Sequence, residues 1–265
     1  MTAAPAAPGP LKLMAVLAHP DDESLGFGGT LAKYAAEGVE TYLVTATRGE
    51  RGRFGDETEK PPPEVVGRTR DAELRDAARV LGLREVSFLD YPDAALDKVD
   101  ATDATRKIAG HVARVKPHVV ITFGPEGAYG HTDHIAISQL ATAAVVAAAP
   151  AHCVSKFYYL EWSQQKWAAY QAALKHLSFT VDEVERRVSP WPDWALTTII
   201  DTSQVWPTVW RAVSCHKTQM SIYKNLEHLS DDHHTAIWGT QEFYRAFSLV
   251  NGGRARETDL FEGLR

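Results

Sequence analysis

Six consecutive residues, Ala18-His19-Pro20-Asp21-Asp22-Glu23, gather an imidazole and three carboxylates directly after the apolar run Leu13-Met14-Ala15-Val16-Leu17. In an open α/β sheet, reacting groups collect just beyond the carboxyl ends of the strands. His19 and Asp22, three apart on a tight turn, can aim a neutral ring nitrogen and a carboxylate oxygen at one point. That is part of a catalytic zinc site, which takes three protein ligands and leaves one position open. The best source of a third ligand is the segment His131-Thr132-Asp133-His134, which also follows a strand-like run. A lone histidine is ordinarily a hydrogen-bonded structural residue, and that is the plain alternative for any one of these ligands. Nitrogen and hard oxygen donors without thiols suit Zn²⁺, one ion per subunit, and spacing alone leaves Fe²⁺, Co²⁺ or Mn²⁺ open.

The elements that must position these residues follow from apolar periodicity and breakers. Strands are expected at residues 13–17, 39–45, 86–89, 119–123 and 157–160, with a further strand-like run at 196–200. A helix capped by Asp22 or Ser24 is expected to run to Gly38, and others over residues 65–81, 101–115, from His131 onward, 167–177 and 205–219. Arg75 lies four residues after Asp71, a favourable helical spacing. This alternation predicts an α/β fold: a Rossmann-like, mostly parallel sheet with helices on both faces and a C-terminal elaboration that shapes the pocket. Residues 1–10 are Ala/Pro-rich and read as a flexible leader, and residues 11–265 as a single domain.

Both chemical segments resemble signatures of the LmbE-like (PIG-L) family of zinc-dependent N-acetylglucosaminyl deacetylases: A-H-P-D-D-E near the N-terminus and a later H-x-D-H, both intact and in order. The resemblance covers most of the chain. It implies a hydrolase that removes the N-acetyl group from a small GlcNAc conjugate, of the mycothiol or bacillithiol precursor type or a related glycoside, and releases acetate. It assigns His19, Asp22 and His134 to the metal and Asp21 to the general base that deprotonates the attacking water. Asp21 could equally cap a helix, as aspartate often does. His131 is assigned to transition-state stabilisation and protonation of the leaving amine, and Tyr129 to the oxyanion. A helix N-terminus disfavours a protonated histidine, and Asp133 is expected to offset this by hydrogen bonding to His131. Tyr129 has a plainer reading as a loop aromatic.

Weaker matches point to substrate contacts. Arg70, in Arg70-Asp71-Ala72-Glu73-Leu74, resembles the arginine of an R-x-x-E-L helix, against the alternatives of a solvated helix charge or a partner for a nearby acid. Asp93, in Tyr91-Pro92-Asp93, resembles an aspartate that binds sugar hydroxyls, against an ordinary Pro-Asp turn. Glu50, after Arg48-Gly49, matches a family loop position. His216 and Gln219, in His216-Lys217-Thr218-Gln219, match H-x-[ST]-Q and are expected to line or buttress the site. Two competing functions are an amidase that cleaves a thiol S-conjugate and a sugar-binding module without catalysis.

Composition narrows the partners. With 45% hydrophobic and 23% charged residues the 265-residue chain is ordinary for a globular protein. A net charge of −6 argues against nucleic acid as partner. Cys153 and Cys215 are lone cysteines that suit a reducing compartment. No membrane span is expected, since the Ala/Val stretch at residues 141–151 is too short and contains Pro150. The expected location is cytoplasmic, with the family's homo-oligomers carried over as an expectation. Gly26-Phe27-Gly28-Gly29 only faintly resembles a dinucleotide loop. Asp231-Asp232-His233-His234 reads as a solvated loop, and Trp191, Trp194, Trp206 and Trp210 as core or pocket wall.

Overall fold

The computed structural model describes residues 9–56, 59–174, 179–181, 184–253 and 255–265. The expected leader falls largely on residues 1–8, outside the described residues. Five runs of apolar, β-branched or aromatic residues form the parallel strands β1 (Lys12–Leu17), β2 (Glu40–Thr45), β3 (Glu85–Phe88), β4 (Val119–Phe123) and β5 (Lys156–Glu161). β1 and β4 are almost wholly buried, as strands covered on both faces must be.

Between the strands come α1 (Asp22–Leu25), α2 (Gly28–Ala36), α3 (Pro63–Leu81), α4 (Ala101–Val115), a distorted turn α5 (Gly127–Gly130) and α6 (Thr132–Ala148). The remainder supplies α7 (Gln164–Leu174), the hairpin β6 (Phe179–Val181) and β7 (Val184–Arg186), β8 (Thr198–Asp201), α8 (Trp206–Val213), α9 (Met220–Tyr223), α10 (Asp231–Trp238) and β9 (Thr240–Ser248).

The main sheet has the order β3-β2-β1-β4-β5-β9-β8. Its direction of growth reverses between β1 and β4, and right-handed crossovers then place the intervening helices on opposite faces. Accordingly α2 packs with α3 and α8, while α4 packs with α6. The reversal opens a crevice beyond the carboxyl ends of β1 and β4, the position at which ligands bind in such sheets.

Four sequence expectations are corrected. The helix expected to reach Gly38 is two pieces, α1 and α2, because Gly26 and Gly28 are poor helix formers. The glycines there serve packing and not a dinucleotide: a Cβ on Gly29 would come within 2.8 Å of Thr202. The solvated loop expected at Asp231-His234 is the start of α10, capped by Ser230 Oγ on the His233 N–H. His234 is buried there and stacks on Trp206 at 5.0 Å between ring centroids. Trp210 joins that cluster, but Trp194 is 85% exposed and belongs to neither core nor pocket. The helix expected over 205–219 ends at Val213. The end of the helix expected over 167–177 reaches residues 175–177, outside the described residues.

One buried carboxylate helps tie the C-terminal elaboration to the sheet. Glu257 accepts hydrogen bonds from Lys156 Nζ (2.6 Å), Tyr158 Oη (2.8 Å), Thr198 Oγ1 (2.7 Å) and Asn251 Nδ2 (2.5 Å), and pairs with Arg245 at 2.9 Å. Burial pushes the Glu257 carboxyl up, but Lys156 and its other donors hold it down at about 2. A carboxyl held below its unfolded value stabilises the fold above that value and loses the contribution as pH falls through the folded one. Urea midpoints of the wild type should therefore fall between pH 5 and pH 2. Glu257→Ala should cost about 3–5 kcal/mol at pH 7, as removal of one member of a buried ion pair does, and flatten the acid dependence.

Candidate metal centre and active site

β1 delivers His19 at the head of the crevice, and the turn into α1 delivers Asp21 and Asp22. Asp22 Oδ2 accepts from the backbone N–H of His19 (2.8 Å) and Ala18 (3.2 Å), which fixes the carboxylate against the strand end. α6 begins beside them and presents His134 from its first turn. The three side chains converge, with one donor atom from each lying within 4.8 Å of the others. His134 Nε2 lies 3.3 Å from both His19 Nδ1 and Asp22 Oδ1, and His19 Nδ1 lies 3.7 Å from Asp22 Oδ2. A tetrahedral zinc with bonds of about 2.0–2.1 Å sets neighbouring donors roughly 3.3 Å apart. The donor set fits a divalent cation in type and in spacing.

The His19 tautomer suits that purpose. Nε2 faces Asp133 Oδ2 (3.1 Å) and Asp93 Oδ1 (3.2 Å), so a proton is held on that side and Nδ1 is directed at His134 and Asp22. Outer carboxylates of this kind orient metal-binding histidines. Burial works against a charged His19, but hydrogen bonds to Asp133 and Asp93 and the Asp22 charge raise its pKa well above the ordinary value. Burial also opposes the Asp22 charge, and His134 with His19 outweigh it, holding the carboxyl well below the usual range. His134 is oriented mainly by stacking, its ring lying 4.0 Å from Phe123 at an interplanar angle of 5°.

Asp133 does not bind the His131 ring as expected. It sits on the first turn of α6, and its carboxylate turns toward His19 and the backbone N–H groups of Ala94 (2.8 Å) and Leu96 (3.0 Å). The Asp133 N–H instead donates to His131 Nδ1 at 3.2 Å. The His131 ring is thereby a neutral cap of α6, with its proton on Nε2. Burial, followed by His134 and His19, pulls its pKa down to about 3. The ring stacks on His134 at 4.6 Å, and Tyr129 stands edge-on to both histidines.

Asp21 lies in the same pocket, with φ 114°. Its side chain caps no helix; Oδ2 accepts from Arg70 Nη2 (3.0 Å) and Tyr223 Oη (3.1 Å). Burial raises the Asp21 pKa, opposed by Arg70 and reinforced by Asp22.

The residues expected to touch substrate are engaged with the chain itself. Arg70 is buried and donates to the carbonyls of Gly49 and Pro20 as well as to Asp21. Asp93 pairs with His19 and accepts from the Arg51 N–H, while Glu50 accepts from the Asp93 N–H, both at 2.8 Å. His216 pairs with Glu23, and Gln219 bonds to the backbone of Arg53. Both therefore buttress the site. Sequence reasoning misses the roles of Glu23 and Tyr223. A signal existed for Arg70 and Glu73: both occupy the apolar stripe of α3 that includes Val66, Leu74 and Ala77. Nothing in the local sequence singles out Tyr223.

Such a centre is equipped to activate water and attack a polarised carbonyl, so the class of protein is a metal-dependent hydrolase on a Rossmann-like sheet. The family described as PIG-L, GlcNAc-PI de-N-acetylase, matches residues 14–145. A 1D-myo-inositol 2-acetamido-2-deoxy-alpha-D-glucopyranoside deacetylase of Rhodococcus jostii (strain RHA1) is 31% identical over 290 residues, covering 96% of this chain and 98% of that one. The chain belongs to the PIG-L (LmbE-like) family. Among solved structures it resembles the conserved protein TT1542 from Thermus thermophilus, with 27% identity, a TM-score of 0.65 and coverage of 93% of this chain and 99% of that one. It shares its fold with GalB, the 4-carboxy-2-hydroxymuconate hydratase of Pseudomonas putida KT2440, at 21% identity, a TM-score of 0.68 and coverage of 92% and 100%.

The packing of Gly49 gives a test of this geometry. Its φ is +64°, and a Cβ there would overlap the Arg70 guanidinium. Gly49→Ala should displace Arg70 from Asp21 and lower turnover roughly a hundredfold, the scale of a misplacement of about 1 Å, with the circular dichroism spectrum unchanged.

Proposed function

We propose that this protein hydrolyses the N-acetyl group of a small GlcNAc conjugate, with 1D-myo-inositol 2-acetamido-2-deoxy-α-D-glucopyranoside as the leading substrate and zinc as the metal. The observation that carries the reading is the convergence of His19, Asp22 and His134 at spacings suited to one divalent ion, with Asp21 alongside. The near full-length similarity to an inositol-conjugate deacetylase supports the choice of substrate.

His19, Asp22 and His134 would hold the ion, which when bound supplies Lewis acidity, lowering the pKa of water and polarising the acetyl carbonyl. Asp21 takes a proton from the attacking water. Both of its side-chain hydrogen bonds fall on Oδ2, which leaves Oδ1 for that proton. Tyr129, beside both histidines, stabilises the developing oxyanion, a role suited to a positioned donor. His131 steadies the tetrahedral intermediate through its Nε2–H, and the proton taken up by Asp21 passes to the leaving nitrogen as the C–N bond breaks. The products are acetic acid, which ionises to acetate, and a free amine. Asp133 and Asp93 hold the His19 ring, while Arg70 holds the base.

Metal-loaded protein should release acetate from the inositol conjugate, and Asp21→Ala should lower turnover by about 10²–10⁴-fold, the usual contribution of a general base, without loss of bound metal. Absence of acetate from a panel of GlcNAc conjugates would overturn the substrate class. Chelation should abolish turnover and added Zn²⁺ restore it. His134→Ala should no longer retain an equivalent of metal when bound metal is measured by elemental analysis.

A further inference from the structure

Asp21 adopts a conformation that a residue with a side chain rarely occupies, φ 114° and ψ −26°. Such a conformation persists only where its surroundings over-determine it. Two of its restraints come from the same distant stretch, residues 216–223, which lies outside the segment matched by the family.

On the backbone side, the Asp21 N–H donates to Glu23 Oε2 at 3.0 Å. Glu23 is in turn fixed through Oε1, which bonds His216 Nε2 at 2.7 Å and Ser24 Oγ at 2.5 Å. Glu23, Ser24 and His216 have no solvent exposure, so this chain of contacts is inaccessible to substrate. On the side-chain side, Tyr223 donates to Asp21 Oδ2 and shares that oxygen with Arg70. Between these two points the stretch is anchored on α3, where Glu73 accepts from the Thr218 N–H (2.8 Å) and hydroxyl (2.7 Å).

We propose that residues 216–223 form the positioning element of the base, with the Glu23–His216 pair setting the Asp21 backbone and Tyr223 setting its carboxylate. Tyr223 and His216 are positioning residues that act through Asp21. The proposal rests on the reading of Asp21 as the base. With Oδ2 occupied by two donors, the carboxylate cannot rotate without breaking both hydrogen bonds.

Tyr223→Phe removes one hydroxyl and keeps the ring, so it tests the carboxylate restraint with little risk to folding. In the metal-loaded full chain, acting on 1D-myo-inositol 2-acetamido-2-deoxy-α-D-glucopyranoside, it should lower kcat by roughly 10–100-fold, the scale expected for a misoriented reacting group. KM, metal content and Tm should stay close to wild type. The loss should vanish in an Asp21→Asn background, since residues that act through one group are not additive. Glu23→Gln keeps an acceptor for the Asp21 N–H and should retain more kcat than Glu23→Ala. An unchanged kcat in Tyr223→Phe, a raised KM alone, or an equal fractional loss in the Asp21→Asn background would each overturn the proposal. Wild-type turnover by Asp21→Asn itself would instead remove the base assignment.

Discussion

Five carboxylates, those of Asp21, Asp22, Glu23, Asp93 and Asp133, are buried side by side at one end of the sheet. Water would solvate such charges, and a protein interior must replace that solvation with partners. Several parts of the chain around the crevice serve this need. α3 supplies the Arg70 guanidinium, α6 supplies His134, and the stretch after α8 supplies His216 and Tyr223. The loop after β3 donates backbone N–H groups to Asp133. A divalent cation between His19, Asp22 and His134 would complete the compensation.

The sequence discloses much of this frame because parallel strands covered on both faces are continuous apolar runs. β1 and β4 are legible for that reason, and the polar clusters that follow them have to lie at their carboxyl ends. β9 is not legible, because Thr240–Ser248 is only partly covered along much of its length and shows no clean alternation. The partner of Asp133 escapes the sequence for a different reason. Proximity along the chain favours His131, but a side chain on the first turn of a helix can reach back across the crevice. Roles that depend on such reach, those of Tyr223 and Glu23 among them, are set by tertiary contacts that local pattern does not encode. Arg70 is legible as a charge, yet its burial among backbone carbonyls is not.

The likeness to both a deacetylase and a hydratase fold shows how little the sheet itself decides. Function is argued from the site rather than from the fold. In this chain the site is a joint product of the parallel half and the later segments. The strands set where the ligands emerge, and Tyr223 and His216, together with Arg70, contact the turn around Asp21 directly or through Glu23.

The position of β9 has a consequence for the order in which the chain acquires structure. β8 precedes β9 in sequence, but among the described strands it pairs with β9 alone. During synthesis β1 to β5 can pair with one another while β8 still has no neighbour, and its docking must wait until Thr240–Ser248 has emerged. Domains acquire structure progressively as they are made, and unpaired strand edges are exposed to wrong association in the interval. The edge of β5 is one such surface, open until the last strand inserts beside it.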